Sequence, residues 1–304
     1  MTRRITAWLQ LLRLPNVFTA VADVTMGYLV THTGEFQPAT HFALLVATSC
    51  LLYLSGMVLN DVFDAEVDLR ERPDRPIPSG RVSIGAATIV GWSMLASGIA
   101  LSWFLTYAAN DWRPGAVASI LAVIVLMYDG ALKRSGFAPL LMGECRFLNV
   151  LLGMSLFFIP WGRAELLIAF GIGTYITGVT IFARTDARVS DRSRLGVGFV
   201  ILCSGIAMLA AAPELTNYRP PLNLSNVAWY LLWAALATII VRRCVLAIFD
   251  PVPSRVQAAV RQCVQSIIVL DAALCVGYAG TYWGFVVLSF LIPTFLLTQW
   301  LNAT

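Results

Sequence analysis

The residues of this chain that are best suited to chemistry stand together between positions 60 and 68. Asn60, Asp61, Asp64 and Asp68 interrupt a sequence in which 58% of the residues are hydrophobic and only 12% are charged. A helix that continues through residue 68 would bring all four within an arc of about 100°, with Glu66 on the other side. Carboxylates gathered beside hydrocarbon repel one another and need a compensating cation or water. Hard oxygen ligands suit Mg²⁺, which commonly bridges to substrate phosphates, so the cluster predicts a magnesium and phosphate site.

A basic, proline-rich loop follows the acidic cluster directly. Guanidinium groups match the geometry of phosphate oxygens, and prolines fix φ and stiffen the segment. Ser79-Gly80 predicts a turn, and Ser83 is a candidate N-cap for the next helix. A solvated loop of mixed charges is the plainer alternative, but acids confined to one helical face favour a binding site. The loop contains Arg70, Arg72, Arg75 and Arg81 among Pro73, Pro76 and Pro78.

The composition indicates that a membrane protein carries these residues. About 20 helical residues cross a hydrocarbon core of ~30 Å, and apolar stretches of that length recur along the chain. The stretches are continuous rather than alternating, which favours helices over a β-barrel. The sequence therefore predicts an all-α polytopic membrane protein with nine or ten transmembrane helices in a single domain, 1–304. The segments are 15–32, 41–62, 83–107, 114–130, 137–160, 165–184, 194–212, 226–247, 262–281 and 283–300.

The distribution of Lys and Arg orients the predicted bundle. Most basic residues lie in the N-terminal residues and in the loops on the same face, whereas the opposite face has only Arg113, Arg163 and Arg219. By the positive-inside rule the first face is cytoplasmic, which places the N-terminus and the acidic cluster there. Topology thus explains the formal net charge of +4, and no nucleic-acid partner is expected. The sequence indicates no oligomeric state.

The acidic cluster and its loop form one long and specific motif. It reads NDxxDxxxD from Asn60 to Asp68 and RPxRPIPSG from Arg72 to Gly80. This motif resembles the first aspartate-rich motif and loop of the UbiA superfamily of intramembrane prenyltransferases. The resemblance implies about nine spans bundled around a central lipid-open cavity, with two Asp-rich motifs near one face. It also implies Mg²⁺-dependent transfer of a prenyl group from a prenyl diphosphate to a hydrophobic acceptor in the lipid bilayer.

The resemblance predicts a second acidic motif after the sixth span, on the cytoplasmic face. In TIFARTDARVSDRSR, Asp186 and Asp191 lie in an arginine-rich loop on that face. The family pattern is DxxxD, whereas here Ser190 stands four residues after Asp186. Five residues of a regular helix turn about 140°, so either the helix ends before Asp191 or this second metal site is weakened. A basic loop with incidental acids is the plainer alternative.

A third element is YDGALKRSG at the end of the fourth span. In the family, a Tyr followed by a Lys at this location assists with the diphosphate, and Tyr128 and Lys133 lie similarly here. A basic pair at a helix end is more often topological, but its face agrees with the acidic motifs. The resemblance implies Mg²⁺ ligands at Asn60, Asp61, Asp64, Asp68, Asp186 and Asp191, and catalytic roles for Asp64, Asp68, Asp186 and Lys133. It implies diphosphate contacts from Arg72, Arg75, Lys133, Arg134 and Tyr128.

Charged and polar residues also occur inside the apolar segments. Buried charge in a membrane usually has a partner or a function. Arg146 is expected either to pair with Glu144 or to line the cavity, and Asn149 is a further cavity candidate. Asp23 and Asp271, in the first and ninth segments, are candidates to face the same cavity.

The implied mechanism separates a diphosphate anion from an allylic cation. Bound Mg²⁺ and basic side chains would stabilise the anion, and aromatic faces would stabilise the cation. A cavity within the membrane would exclude the water that quenches it. The acceptor is an aromatic ring, a tetrapyrrole or another lipid-soluble nucleophile, and the motif does not choose among them. The candidate aromatic residues are Tyr53, Tyr128, Phe147 and Tyr175.

Two other functions compete with prenyl transfer. A polytopic transporter would use Asp23, Arg146 and Asp271 as a relay near mid-membrane and would tolerate changes at Asp64. A UbiA-like protein that binds isoprenoid without turnover is favoured if the irregular second motif holds no metal.

Overall fold

Thirteen α-helices make up the described part of the computed structural model, which comprises residues 2–32, 38–184, 191–215 and 223–303. A π-helical turn, Tyr128–Leu132, extends α6, and a 3₁₀ turn, Ala212–Leu215, extends α9. No strand occurs within these ranges, so the predicted all-α class is confirmed. The helices are α1 Thr2–Leu11, α2 Leu14–Thr31, α3 Ala39–Phe63, α4 Ala65–Glu71, α5 Ile84–Ala109, α6 Arg113–Met127, α7 Ala138–Gly153, α8 Arg163–Ala183, α9 Arg192–Ala211, α10 Asn226–Phe249, α11 Pro253–Tyr278, α12 Thr281–Leu288 and α13 Leu291–Ala303.

Eight helical segments of the described chain are long and apolar enough to cross a membrane. They are α3, α5, α6 with its π turn, α8, α9 with its 3₁₀ turn, α10, α11, and α12 with α13. The two remaining predicted spans correspond to α2 and α7, of 18 and 16 residues. The chain is an integral, multi-pass membrane protein, and the count of nine or ten spans stays a prediction.

Small residues bring the helices of the bundle close together. Gly171 and Gly178 of α8 face Gly205 and Gly198 of α9, where a Cβ built at Gly205 would lie 2.6 Å from the Tyr175 backbone nitrogen. Apolar burial drives helix association weakly within lipid, so close backbone contact through small residues is a common solution. The α8–α9 pair therefore depends on positions that have no side chain.

The predicted span 137–160 is wrong at its end, because α7 stops at Gly153. Beyond it the backbone carbonyls find donors outside a helix. Arg113 donates to the carbonyls of Phe157 and Ile159, and the Trp161 indole donates to Met154 O at 3.0 Å. Since buried carbonyl groups need donors, these side chains stabilise a non-helical segment that hydrophobicity alone would extend as helix.

The acidic cluster lies where α3 meets α4. The expectation of one regular helix through residue 68 needs correction, because α3 ends at Phe63 and α4 begins at Ala65. The hydrogen-bond register nevertheless continues, with Asp64 N–H donating to Asn60 O at 3.0 Å and Asp68 N–H to Asp64 O at 2.8 Å. Asn60, Asp64 and Asp68 therefore remain one turn apart along the chain.

The basic loop packs against the N-terminal helix. Ile77 and Val82 of the loop form a small apolar cluster with Ala7 and Leu11 of α1. Gly80 supplies the predicted turn at φ 73°, a conformation that glycine adopts without steric cost. The Ser83 side chain accepts from Ala86 N–H at 3.3 Å, which confirms the predicted N-cap of α5.

Candidate active site

A cavity of ≈ 490 Å³ lies within the bundle. Residues of α2, α3, α6, α7, α8 and α11 line it, and its volume is typical of small-molecule sites. One end is basic and carries Arg13, Arg72, Arg75 and Lys133 beside Asn60 and Asp129. A second polar group, on α3 and α7, comprises Ser49, Tyr53, Arg146 and Asn149. Most of the wall between them is apolar.

At the basic end, one ammonium group joins two residues of the acidic cluster. Lys133 Nζ donates to Asn60 Oδ1 at 3.0 Å and forms a short ion pair with Asp64 Oδ2. Asn60 and Asp64 lie four residues apart, so their side chains point the same way from consecutive turns. The structure thus brings together a predicted diphosphate contact and two predicted metal ligands, which lie 69 or more residues apart in sequence.

Asp129 is a member of this cluster that the sequence reasoning missed. Its carboxylate is 8% exposed and accepts from Asn60 Nδ2 at 2.6 Å. Asp129 lies in the π-helical turn and Lys133 follows it directly, and both side chains reach Asn60 of α3. The only signal available in the sequence was an acid next to Tyr128, at the end of an apolar segment.

A second pair of carboxylates lies behind Arg75. Its guanidinium donates to Asp68 Oδ2 at 2.5 Å and to Asp61 Oδ1 at 3.5 Å. Arg13, one of the basic residues near the N-terminus, also donates to Asp61 Oδ1, at 2.9 Å. Arg72 lies 3.9 Å from Asp68. The cations line the cavity while Asp61 and Asp68 are buried behind them.

The oxygen atoms of Asn60 and Asp64 around Lys133 are chemically suited to bind a hard divalent cation. Lys133 Nζ is a positive charge held by one amide oxygen and one carboxylate oxygen, so it occupies a position that suits a metal ion. Within the described ranges no group of three or more His, Cys, Asp or Glu residues is arranged to hold a metal. Asp61, Asp64 and Asp68 are instead each paired with a basic side chain.

The second acidic motif is only partly visible. Asp186 lies outside the described residues. Asp191 is exposed and caps α9, accepting from Ser193 N–H at 2.9 Å. The helix does end before Asp191, because α8 stops at Ala183. Arg184, at that helix end, donates to the carbonyls of Ser135 and Lys133 at 2.8 and 3.1 Å, which ties the end of α8 to the segment carrying Lys133.

Some of the remaining predicted site residues line the cavity, and others lie elsewhere in the structure. Tyr53 and Tyr128 line the cavity, and their cation-stabilising role stays a prediction. Phe147 instead packs on Phe170 at 4.5 Å between ring centroids, and the Tyr175 hydroxyl donates to Cys263 O at 2.9 Å, away from the cavity lining. Arg134 is exposed and does not line the cavity.

Arg146 pairs with Asp23 and not with Glu144. Its guanidinium donates to Asp23 Oδ2 at 2.8 Å and to Thr19 Oγ1 at 2.7 Å, and it lies over the Tyr53 ring. Residues two apart on a helix point in different directions, which explains why Glu144 is not the partner. Arg146 and Asn149 line the cavity, whereas Asp23 lies behind them.

A model of the UbiA prenyltransferase family matches residues 20–259. The chain belongs to this family. The match includes both acidic motifs, the YDGALKRSG segment and Arg146, and it confirms the resemblance that the first motif indicated. A family of prenyltransferases also disfavours the transporter alternative.

Several curated relatives of this UbiA-family chain are digeranylgeranylglyceryl phosphate synthases. That of Sulfolobus acidocaldarius is 34% identical over 132 residues, 43% of this chain and 46% of the relative. That of Saccharolobus solfataricus is 34% identical over 155 residues, 50% of this chain and 52% of the relative. The chain thus spans about half the length of these curated relatives.

Solved structures share the fold over nearly the whole chain. A UbiA homologue from Archaeoglobus fulgidus bound to GPP and Mg²⁺ has a TM-score of 0.61 at 15% identity, covering 93% of this chain and 99% of that one. A structure described as digeranylgeranylglyceryl phosphate synthase in membranes has a TM-score of 0.65 at 20% identity, covering 91% and 99%. At such identities the likeness establishes the UbiA fold.

Proposed function

We propose that this UbiA-family chain transfers a prenyl group from a prenyl diphosphate to a hydrophobic acceptor within the membrane. The observation that carries the proposal is Lys133, held between Asn60 Oδ1 and Asp64 at a cavity end that also presents Arg13, Arg72 and Arg75. Such cations match diphosphate oxygens. The names of the relatives and the GPP and Mg²⁺ bound to a homologue support the same chemistry.

The proposed metal ligands are oxygen atoms of both acidic motifs. Asn60 and Asp64 would hold Mg²⁺ together with Asp68, and Asp186 and Asp191 would supply the second motif. Bound Mg²⁺ neutralises the charge that develops on a departing diphosphate. Lys133, released from Asp64, would donate to the diphosphate, and Arg75 would do so from its position beside Asp61 and Asp68. Tyr128, Arg72 and Arg134 complete the proposed diphosphate contacts.

The rest of the cavity would protect the allylic cation. Tyr53 and Tyr128 line the cavity and offer ring faces to a cation. Apolar side chains of α6, α8 and α11 would exclude water and accommodate the isoprenoid. The acceptor is an aromatic, tetrapyrrole or lipid nucleophile, whose reacting atom must approach between the diphosphate and the isoprenoid chain.

The proposal includes a single domain over residues 1–304, with the N-terminus and both acidic motifs on the cytoplasmic face. The hydrogen bonds from Arg184 to the segment carrying Lys133 support the convergence of the two motifs, because α8 leads directly to the second one. The excess of Lys and Arg on this face supports its cytoplasmic assignment.

The test is prenyl transfer by purified protein in nanodiscs, with labelled prenyl diphosphates, Mg²⁺ and extracted membrane lipids as acceptors. Asp64→Asn is expected to slow diphosphate release and formation of labelled lipid by about 100-fold, because it removes a carboxylate proposed to hold the Mg²⁺ that stabilises the departing diphosphate. Glu66→Gln is the matched control, since Glu66 lies two residues away and is exposed. It should retain the wild-type rate.

Two results would contradict the assignment. Equal diphosphate release by wild type and Asp64→Asn would remove Asp64 from the reaction. Tight binding of the prenyl diphosphate without release, under all metal concentrations, would favour the alternative in which the chain binds isoprenoid without turnover.

A further inference from the structure

The deep polar group of the cavity lies well away from the diphosphate end. Tyr53 and Asn60 stand seven residues apart on α3, which corresponds to about 10 Å along the helix axis. The Arg146 guanidinium lies over the Tyr53 ring, with Cζ 5.6 Å from the ring centroid. Arg146 is therefore about 10 Å deeper than the residues proposed to hold the metal. The diphosphate site has no use for this charge.

Arg146 has unused hydrogen-bonding capacity that faces the cavity. A guanidinium has five N–H donors, and two of them have partners in the described chain, Asp23 and Thr19. The side chain is 12% exposed and lines the cavity. Buried donors without acceptors are costly, and an isoprenoid chain offers no acceptor. An oxygen-bearing ligand would satisfy these N–H groups.

The surrounding charges restrict the ligand further. The Asp23 carboxylate already neutralises Arg146 at 2.8 Å. The carboxyl group of Asp271 is buried beside that of Asp23. Asp271 is either neutral or carries one more negative charge. In both cases Arg146, Asp23 and Asp271 together carry no net positive charge. A neutral oxygen can accept from Arg146, whereas an anion would be buried without compensation.

The two sides of the cavity differ in the chemistry that they offer. Ser49 and Tyr53 of α3 and Arg146 and Asn149 of α7 make one side polar. The other side is apolar and suits an isoprenoid chain. Its residues are Leu121 and Val125 of α6, Ile176 and Val179 of α8, and Val264 and Ile267 of α11.

We propose that Arg146 binds a neutral carbonyl or hydroxyl oxygen of the acceptor and thereby selects the acceptor class. This inference rests on the proposed prenyl transfer. The acceptor is a compact, uncharged molecule that spans about 10 Å, with its oxygen at Arg146 and its nucleophilic atom toward the diphosphate end. Acceptors that must place a carboxylate or a phosphate at Arg146 are rejected. The selection differs from that suggested by the name of the relatives, which contains a glyceryl phosphate.

The test uses two probes of nearly identical shape. 1-Acetonaphthone carries a neutral carbonyl group, and 1-naphthoate carries a carboxylate on the same ring. Equilibrium dialysis against protein in nanodiscs, corrected for empty nanodiscs, measures the binding of each. We expect saturable binding of the ketone that is at least about tenfold tighter than that of the anion, because only the ketone is free of the charge-burial penalty.

Variants connect this binding to Arg146. Asp23→Asn with Arg146→Gln removes both charges together, because a single replacement would leave a buried charge unpaired. It should weaken ketone binding about tenfold. Arg146→Lys keeps the charge beside Asp23 but has fewer donors, and it should weaken the ketone even if the double variant fails to fold. Glu66→Gln, at an exposed position outside the cavity lining, is the control and should leave ketone binding unchanged.

Two outcomes would overturn the inference. One is binding of 1-naphthoate that equals or exceeds that of the ketone, and the other is ketone binding that survives both the double variant and Arg146→Lys. Failure of the proposed prenyl transfer would give a different result from failure of this inference. A wild type that prefers the ketone but transfers no prenyl group refutes prenyl transfer, whereas a wild type that transfers prenyl groups without preferring the ketone refutes only this inference.

Discussion

Asn60 determines how the basic end of the cavity is arranged. Its amide has a donor end and an acceptor end, and each has a fixed partner. Nδ2 donates to Asp129 at 2.6 Å, so Oδ1 must point toward Lys133, from which it accepts at 3.0 Å. Because the oxygen is the atom that a metal would use, the hydrogen bond from Asn60 Nδ2 to Asp129 would orient a proposed metal ligand. Outer partners of this kind commonly tune metal affinity.

Replacement of Asp129 tests this orienting role. Asp129→Leu should raise the Mg²⁺ concentration needed for binding of a non-hydrolysable prenyl diphosphate analogue by about tenfold, because the Asn60 amide loses the acceptor that orients it. Asp129→Asn keeps an oxygen acceptor and should shift the Mg²⁺ requirement less. Titration of analogue binding with Mg²⁺ measures both variants. Equal shifts in the two would show that the charge of Asp129 acts, and not its hydrogen bond.

The sequence predicted which acidic residues of the site lie together along one helix, but it did not predict their partners from other segments. Spacing along a single helix was enough to group Asn60, Asp64 and Asp68, because helical geometry is local. The partners Arg13 and Asp129 come from other parts of the bundle, 48 and 69 residues away along the chain. Which side chains meet across helices depends on the register of packing, and one sequence does not reveal that register.

At the scale of elements, the α8–α9 pair shows how the bundle is held together. Both helices place glycines where their backbones meet, and the Cβ missing at Gly205 would lie 2.8 Å from Gly171 O. Gly196 lies on the same helix α9, but nothing lies within 4 Å of its Cβ position. The two glycines therefore lie on the same helix, but only Gly205 is packed against the backbone of α8.

Alanine at these two positions should have opposite effects. Gly205→Ala forces α8 and α9 apart and should destabilise the protein by about 1–3 kcal/mol. Gly196→Ala should stabilise it by up to about 1 kcal/mol, because alanine is the better helix former in open space. Melting temperatures in detergent measure both variants. A Gly205→Ala protein as stable as wild type would mean that the helices do not touch there.

Element boundaries were predicted well where they depend on local signals. Ser83 and Gly80 correctly marked the start of α5 and the turn before it. The end of α7 was missed, because the donors that replace its helical hydrogen bonds come from Arg113 and Trp161. Hydrophobicity reports whether a segment can be buried, but it does not report where its carbonyl groups find partners.

For the whole molecule, the acidic cluster and the start of α8 mark opposite ends of the bundle. Arg184, at the end of α8, is bonded to the segment that carries Lys133 and therefore lies near Asp64. Arg163 begins the same helix, 21 residues long and thus about 31 Å away. This length matches a hydrocarbon core of about 30 Å. The proposed orientation places the acidic end in the cytoplasm and the other end in the opposite compartment, and the excess of Lys and Arg at the acidic end supports it.

Labelling of single cysteines in cells tests this orientation. In a background with the six natural cysteines replaced, Glu71→Cys lies exposed beside the acidic cluster and Arg163→Cys lies exposed at the far end of α8. A membrane-impermeant maleimide added to intact cells should label position 163 and should reach position 71 only after the membrane is opened. Labelling in the reverse order would place both acidic motifs outside the cytoplasm. A diphosphate substrate made in the cytoplasm would then have to cross the membrane before it reached Lys133, so this result would contradict the proposed orientation and the supply of substrate that it implies.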